Sequence, residues 1–86
     1  MSEAVAGEIR RRLAVALTPQ TLEVVDEGHL HAGHAHAGKG HYRVRIVSAA
    51  FAGVPPLRRH RMVYAALDDL LEQGIHALSI EAHPPV

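Results

Sequence analysis

Between Gly28 and Gly40 the chain is Gly, Ala and His with one Lys and almost no bulky apolar side chain. A stretch of that composition cannot contribute to a core, and at 13 residues it exceeds the usual connection between elements. It reads as a flexible loop over 28–40, with little to pack against its surroundings. The fold must therefore be assembled from the residues on either side. With 86 residues in all there is material for a single domain, 1–86, and not for two. A domain of this length buries only roughly 60–65% of its unfolded surface, so a deep enclosed active site is not expected.

Periodicity assigns the flanking segments. Val5, Ile9, Leu13 and Leu17 recur at i+4 and give one apolar stripe on a first helix, with Ser2 as its N-cap and Glu3 and Glu8 near the positive end of its dipole. Arg10, Arg11 and Arg12 should mostly face away from that stripe. Thr18-Pro19 ends the helix, because the residue before Pro is pushed out of the helical region. Thr21 to Asp26 is a short strand rich in β-branched residues. Tyr42 to Ser48 is the clearest strand: Tyr42, Val44 and Ile46 point one way, Arg43 and Arg45 the other. Gly53 and Pro55-Pro56 punctuate a turn region with one short helical turn around Phe51. Leu57 to Gln73 reads as the longest helix, with His60, Val63, Leu67, Leu70 and Leu71 on its apolar face and Gly74 at the C′ position. Ile75 to Ala82 is a last strand in which His76, Leu78 and Ile80 share a face, and 83–86 is a tail.

The order α-β-β-α-β predicts an α+β fold on a three-stranded mixed sheet with the helices packed on one face. Strands one and two pair antiparallel across the His-rich loop. Strands two and three, joined by a helix, pair parallel through a right-handed crossover. Seven strand residues span roughly 23 Å, and 17 helical residues return roughly 25 Å. Parallel strands start at the same end of the sheet, so the loop entering strand two should lie beside His76. The start of the long helix lies at the other end, about 20 Å away on the helix length.

The histidine end holds His29, His31, His34, His36 and, at the loop exit, His41. Neutral imidazole is a good ligand for Zn, Cu, Ni and Fe, and a loop beside His76 could gather two or three of them. The same spacing also fits low-complexity drift in a solvated loop. His76, in phase with Leu78 and Ile80, also fits a half-buried residue with one satisfied hydrogen bond. At the other end, Arg58, Arg59 and Arg61 lie in the first turns of the long helix, where free N–H groups and the dipole favour an anion. A solvated charged face is the plain alternative. Arg43 and Arg45 could extend a basic patch toward nucleic acid.

Several classes are excluded or disfavoured. Nine basic and nine acidic residues give no global field toward nucleic acid. With 3% aromatic residues, base-stacking recognition of single strands is disfavoured. The absence of cysteine removes disulfides, thiolate nucleophiles and Cys zinc sites. Asp68-Asp69 reads as a solvated pair on the polar face of the long helix. No P-loop, GxSxG, HExxH or GxGxxG pattern appears, and the chain does not read as an enzyme. No long apolar run opens it, so neither a signal peptide nor a membrane span is expected. The expected location is the cytoplasm.

These segments resemble the BolA family over Leu22 to Ile80. The resemblance is carried by Leu22 to Asp26-Glu27, His31, His41-Tyr42, Val47-Ser48 with Phe51 and Gly53, Arg59-His60-Arg61 with Val63-Tyr64 and Leu67, and Ile75-His76-Ala77-Leu78. It implies a class II KH-like fold of the same element order. It also implies partnership with a monothiol glutaredoxin, the two proteins sharing a 2Fe-2S cluster that the isolated chain is not expected to hold. In that scheme the BolA-like partner supplies a C-terminal His, matching His76, and in some members a His or Cys from the loop between the first two strands, best matched here by His31, with His29, His34 and His36 as alternates. Some members are described as DNA-binding transcriptional regulators tied to stress response and cell shape. That alternative would use Arg58, Arg59, Arg61, Arg43 and Arg45. This chain departs from the family in lacking the common Ser after the acidic pair, which is Gly28 here, and the longer C-terminal tail of some members; a KH-type GxxG loop is also absent. A monomer or weak dimer is expected for the chain alone.

Overall fold

The first helix, α1 (Ser2–Leu17), begins at Ser2 itself rather than using it as a cap. Ile9 and Leu13 are wholly buried, with Ala6 and Leu17 beside them. Thr18 takes φ 41, and its N–H donates to the Ala14 carbonyl at 3.1 Å before Pro19 turns the chain into β1 (Thr21–Asp26). The computed structural model describes residues 2–27 and 40–86, and of Ser2, Glu3 and His76 the backbone only. The loop expected over 28–40 lies, from 28 to 39, outside the described residues.

The chain continues as β2 (Gly40–Val47), a 3-10 turn (Ala49–Phe51), α2 (Pro56–Leu67), α3 (Leu70–Gln73) and β3 (Ile75–His83). β2 therefore starts two residues earlier than the alternation of Tyr42, Val44 and Ile46 suggests. Gly40 is recruited because its N–H donates to the Gly74 carbonyl at 3.2 Å. β3 likewise runs through His83, whose carbonyl accepts from the Ser48 N–H at 3.0 Å, so the free tail is shorter than expected.

The sheet order is β1-β2-β3, with β1–β2 antiparallel and β2–β3 parallel, as the crossover argument requires. Val24, Tyr42, Val44, Ile46 and Ala82 turn inward under the helices with Phe51, Val63 and Leu67. Glu23, Val25, Arg43, Arg45, Ser79 and Glu81 are exposed on the opposite face. The period-2 alternation thus separates one covered face from one open face.

The segment expected as one helix over Leu57–Gln73 is two. α2 stops at Leu67, Asp68 takes φ 49 and ψ −124, and α3 restarts behind Asp69. That combination is unfavourable for a residue carrying a Cβ, and the polar side chains Asp68 and Asp69 occupy the break rather than a continuous polar face. Leu70 remains buried, so the break redirects the chain toward β3 while keeping the apolar face in the core.

Candidate functional site

At one end of the sheet the starts of β2 and β3 meet. Gly40 stands opposite Ile75 and His41 opposite Ala77, so position 76 has no counterpart on β2 and forms a bulge. The burial phase records the slip: Ile75 is buried on the core side, and Leu78, Ile80 and Ala82, of the opposite parity, also turn to the core. His76 is therefore not one member of a simple Leu78–Ile80 alternation but the residue at which the alternation resets. Bulges of this kind re-aim a side chain and recur beside functional sites. The side chain of His76 lies outside what is described, as do the candidate ligands His29, His31, His34 and His36. Among the described residues, no three His, Asp or Glu side chains gather as a metal site.

Two glycines permit this approach. A Cβ on Gly40 would fall 2.8–2.9 Å from the ring and hydroxyl of Tyr42, and one on Gly74 would fall 3.0 Å from a Val5 methyl. Gly74 has φ −139, so its glycine answers to the packing of α1 and not to a left-handed cap. Tyr42 is buried at 2% exposure. Burial and the nearby Asp26 carboxylate both raise the phenol's pKa. His41, half-buried, follows Gly40, and its carbonyl accepts from the Glu27 N–H at 2.7 Å. This bond holds Glu27 beside His41 at the same end of the sheet. Gly40, Gly74 and Tyr42 were not singled out as site residues from sequence. The only local signal is a glycine two residues before an aromatic on the same strand face.

A polar network supports this end from behind. Arg12 Nη1 donates to the Leu67 carbonyl at 2.6 Å and pairs with Asp69 at 2.9 Å, while its Nε reaches Glu8 at 2.8 Å. Arg11 also binds Glu8, at 2.6 Å. The hydrogen bonds from Arg11 and Arg12 lower the Glu8 pKa to about 2, and Arg12 lowers that of Asp69. Arg10 donates to the Val24 carbonyl at 3.3 Å. Of the three arginines expected to face mostly away from the apolar stripe, Arg12 ties α1 to the α2–α3 break and Arg10 ties it to β1, while Arg11 stays on its own helix.

The opposite end is built by different means. Ser48, 1% exposed, donates to the Leu17 carbonyl at 2.6 Å and accepts from the Ala50 N–H at 3.1 Å. Arg59 donates to the Val54 carbonyl at 2.6 Å and the Ala82 carbonyl at 3.1 Å. The basic cluster read from sequence is therefore divided. Arg59 is engaged by backbone. Arg43 lies 3.8 Å from Glu81, and Arg45 lies 3.7 Å from Glu23, on the open sheet face. Arg58 and Arg61 are exposed on α2. His60 is half-buried.

This arrangement can be set beside known proteins. The profile of the BolA-like protein family matches residues 13–86. The chain belongs to the BolA-like family. BolA-like protein 1 of Bos taurus is 43% identical over 81 residues, covering 94% of this chain. The match takes in 59% of the bovine protein, so the chain spans less than two thirds of that relative's length. The DNA-binding transcriptional regulator BolA of Vibrio cholerae is 36% identical over 75 residues, 87% of this chain and 70% of that protein. Among solved structures, the BolA domain of SufE1 from Arabidopsis thaliana has a TM-score of 0.83 at 46% identity, covering 93% of this chain and 91% of that one. The mixed three-stranded sheet with three helices is thus a BolA-like fold. These relatives are named for the family or for regulation, not for a reaction. Among the described residues, no helix is long and apolar enough to cross a membrane.

Proposed function

We propose that this BolA-like chain is a non-enzymatic adaptor that binds a monothiol glutaredoxin and completes a shared 2Fe-2S cluster through His76 and one histidine of the preceding loop, His31 being the best match. One observation carries the reading. The parallel pairing of β2 with β3, closed by the Gly40–Gly74 hydrogen bond, brings the exit of the His-rich segment beside the bulge at position 76. The strand that follows the His-rich segment and the start of β3 thus share one sheet end. The donor type fits the group: imidazole replaces thiolate on one iron of Rieske-type centres and raises their potential, and a chain without cysteine has imidazole as its nitrogen donor for such a site. The relation to a BolA domain carried by SufE1 is in keeping with this reading. We place the adaptor in the cytoplasm, where the partner's thiols stay reduced.

The test is co-reconstitution of the cluster with a monothiol glutaredoxin, read by visible absorption and circular dichroism. His76→Ala should change the heterocomplex spectrum, and His31→Ala should change it more than His29→Ala, His34→Ala or His36→Ala. A spectrum indifferent to His76→Ala removes the ligand assignment.

The name of the Vibrio relative, a DNA-binding transcriptional regulator, supports a second reading, that this chain is a DNA-binding regulator. Here Arg58 and Arg61 would carry the phosphate contacts, since Arg59 serves the fold and Arg43 and Arg45 face carboxylates. It requires salt-dependent DNA binding whose slope falls when Arg58 and Arg61 are replaced.

A further inference from the structure

Each edge of the three-stranded sheet is guarded by one guanidinium. Because His41 is bonded to Glu27 and Ser48 to His83, alternation fixes which backbone groups face outward. On β1 they belong to Leu22, Val24 and Asp26, and on β3 to Leu78, Ile80 and Ala82. Arg10 closes the Val24 carbonyl in the middle of the β1 edge. Arg59 closes the Ala82 carbonyl near the end of the β3 edge. Guarding of this kind suppresses edge-to-edge pairing, but the two guards differ in placement. On β3 the bulge at position 76 and the Arg59 contact at Ala82 bracket a regular window, Leu78 to Ile80, in which nothing among the described residues pairs with the strand on that side.

We propose that this window pairs antiparallel with the same window of a second copy of the chain, about a two-fold axis through Ser79. The register follows from the bracket. Pairing about Ser79 sets Leu78 against Ile80 of the other copy and Ile80 against Leu78, forming two hydrogen-bonded pairs that use the outward groups of both residues. Ala82 stays with Arg59, and the bulge stays outside the ladder. Shifting the axis by one residue to Ile80 would require the Ala82 carbonyl that Arg59 already holds. On the open face, Ser79 meets Ser79 and Glu81 meets Ala77, so no like charges are opposed. Leu78 and Ile80, which are half-buried and pack on the core, gain cover from their counterparts. Four backbone hydrogen bonds over three residues give a weak association, in equilibrium with monomer. Nothing in this pairing depends on the cluster reading, and the test uses the chain without glutaredoxin.

Because the chain has no cysteine, a single engineered thiol reports the axis. In the proposed register, position 79 faces itself as a non-hydrogen-bonded pair with Cα atoms about 4.5 Å apart, within the span a disulfide accepts. Positions 77 and 81 lie about 13 Å from their own copies, beyond that span. Ser79→Cys should give a disulfide-linked dimer as its main product on mild oxidation, and Ala77→Cys and Glu81→Cys should not. Sedimentation equilibrium of the unaltered chain should show a concentration-dependent dimer. Leu78→Pro removes one outward N–H without touching the bonds to β2, and should abolish the dimer while leaving the circular dichroism of the fold unchanged. A chain that stays monomeric at millimolar concentration overturns the proposal. So does a dimer that survives Leu78→Pro, or crosslinking no better at position 79 than at position 81.

Discussion

The two ends of the β2–β3 pair are closed by opposite means. At the arginine end, side chains are the framework: the Ser48 hydroxyl holds the last carbonyl of α1, and the Arg59 fork joins the segment before α2 to the end of β3. At the histidine end, the framework is backbone meeting backbone, with Gly40 bonded to Gly74 and no Cβ tolerated freely on either. On the proposed function, the difference separates stability from chemistry. Where polar side chains hold the fold, they are not available to a ligand, and exchanging them costs structure. Where close backbone approach holds it, the backbones of positions 76 and 41 are brought together at one end of the sheet.

The strongest way to break this comparison is to remove the hydroxyl at the arginine end. Ser48→Ala leaves the Leu17 carbonyl without its buried donor and uncaps the Ala49–Phe51 turn. The expected loss is about 2–3 kcal/mol of unfolding free energy, from the unsatisfied carbonyl and the lost cap together. Chemical denaturation measures it. A loss under about 0.5 kcal/mol, the level of an ordinary surface substitution, would mean that this end is not held by polar side chains. The spectrum of the reconstituted heterocomplex should be unaltered in the folded fraction.

The histidine end is probed by Gly40→Ala. The added methyl would sit 2.8 Å from the buried Tyr42 ring, and forcing a packed ring aside costs about 1–2 kcal/mol. Here the two effects should travel together, with lower stability and a disturbed heterocomplex spectrum in the same variant. Gly74→Ala should cost less, because its neighbour is a Val5 methyl at 3.0 Å on a different element, and Val5→Ala should relieve it. If Gly40→Ala is silent by both measures, the close approach at this end does not position the site.

What could be read from sequence divides along the same line. The bounds of β1, Thr21–Asp26, follow from β-branched residues after a Pro, and the alternation of Tyr42, Val44 and Ile46 marks the inner face of β2, because these are local signals. The parallel pairing of β2 with β3 follows from a crossover length. The bulge at position 76 does not, since it exists only in the register between two strands 35 residues apart, Gly40 against Ile75. The role of Arg59 was equally hidden. Its partners are five and 23 positions away, and a run of arginines looks the same whether it faces solvent or backbone carbonyls. The break at Asp68 had no signal, because Leu67, Leu70 and Leu71 continue a helical apolar face across it. At the break the Leu67 carbonyl accepts from Arg12, 55 residues upstream, a partner that no local pattern reveals.

That network gives the smallest expected effect and the finest comparison. Hydrogen bonds from Arg11 and then Arg12 lower the Glu8 pKa from 4.5 to about 2. Its contribution to stability is therefore fully present above pH 4.5 and is lost as the pH falls through about 2. Asp69, lowered by Arg12, acts in the same direction, while both arginines stay charged throughout. Because Asp69 and Arg11 are exposed and Glu8 and Arg12 keep part of their side chains in solvent, the effect is small and screened by salt. The melting temperature should fall between pH 4.5 and pH 2, and Glu8→Gln should flatten that fall at low ionic strength and have little influence at high salt. Arg12 bears on the α2–α3 break, which leads directly into Gly74 and the bulge, whereas Arg11 binds only Glu8 on its own helix among the described contacts. Arg12→Lys should therefore shift the amide resonances of Gly74 to Ala77 while leaving those around Ser48 and Arg59 in place, and Arg11→Lys should shift neither. Equal shifts at both ends would show that the sheet responds as one rigid body and that the α2–α3 break does not separate them.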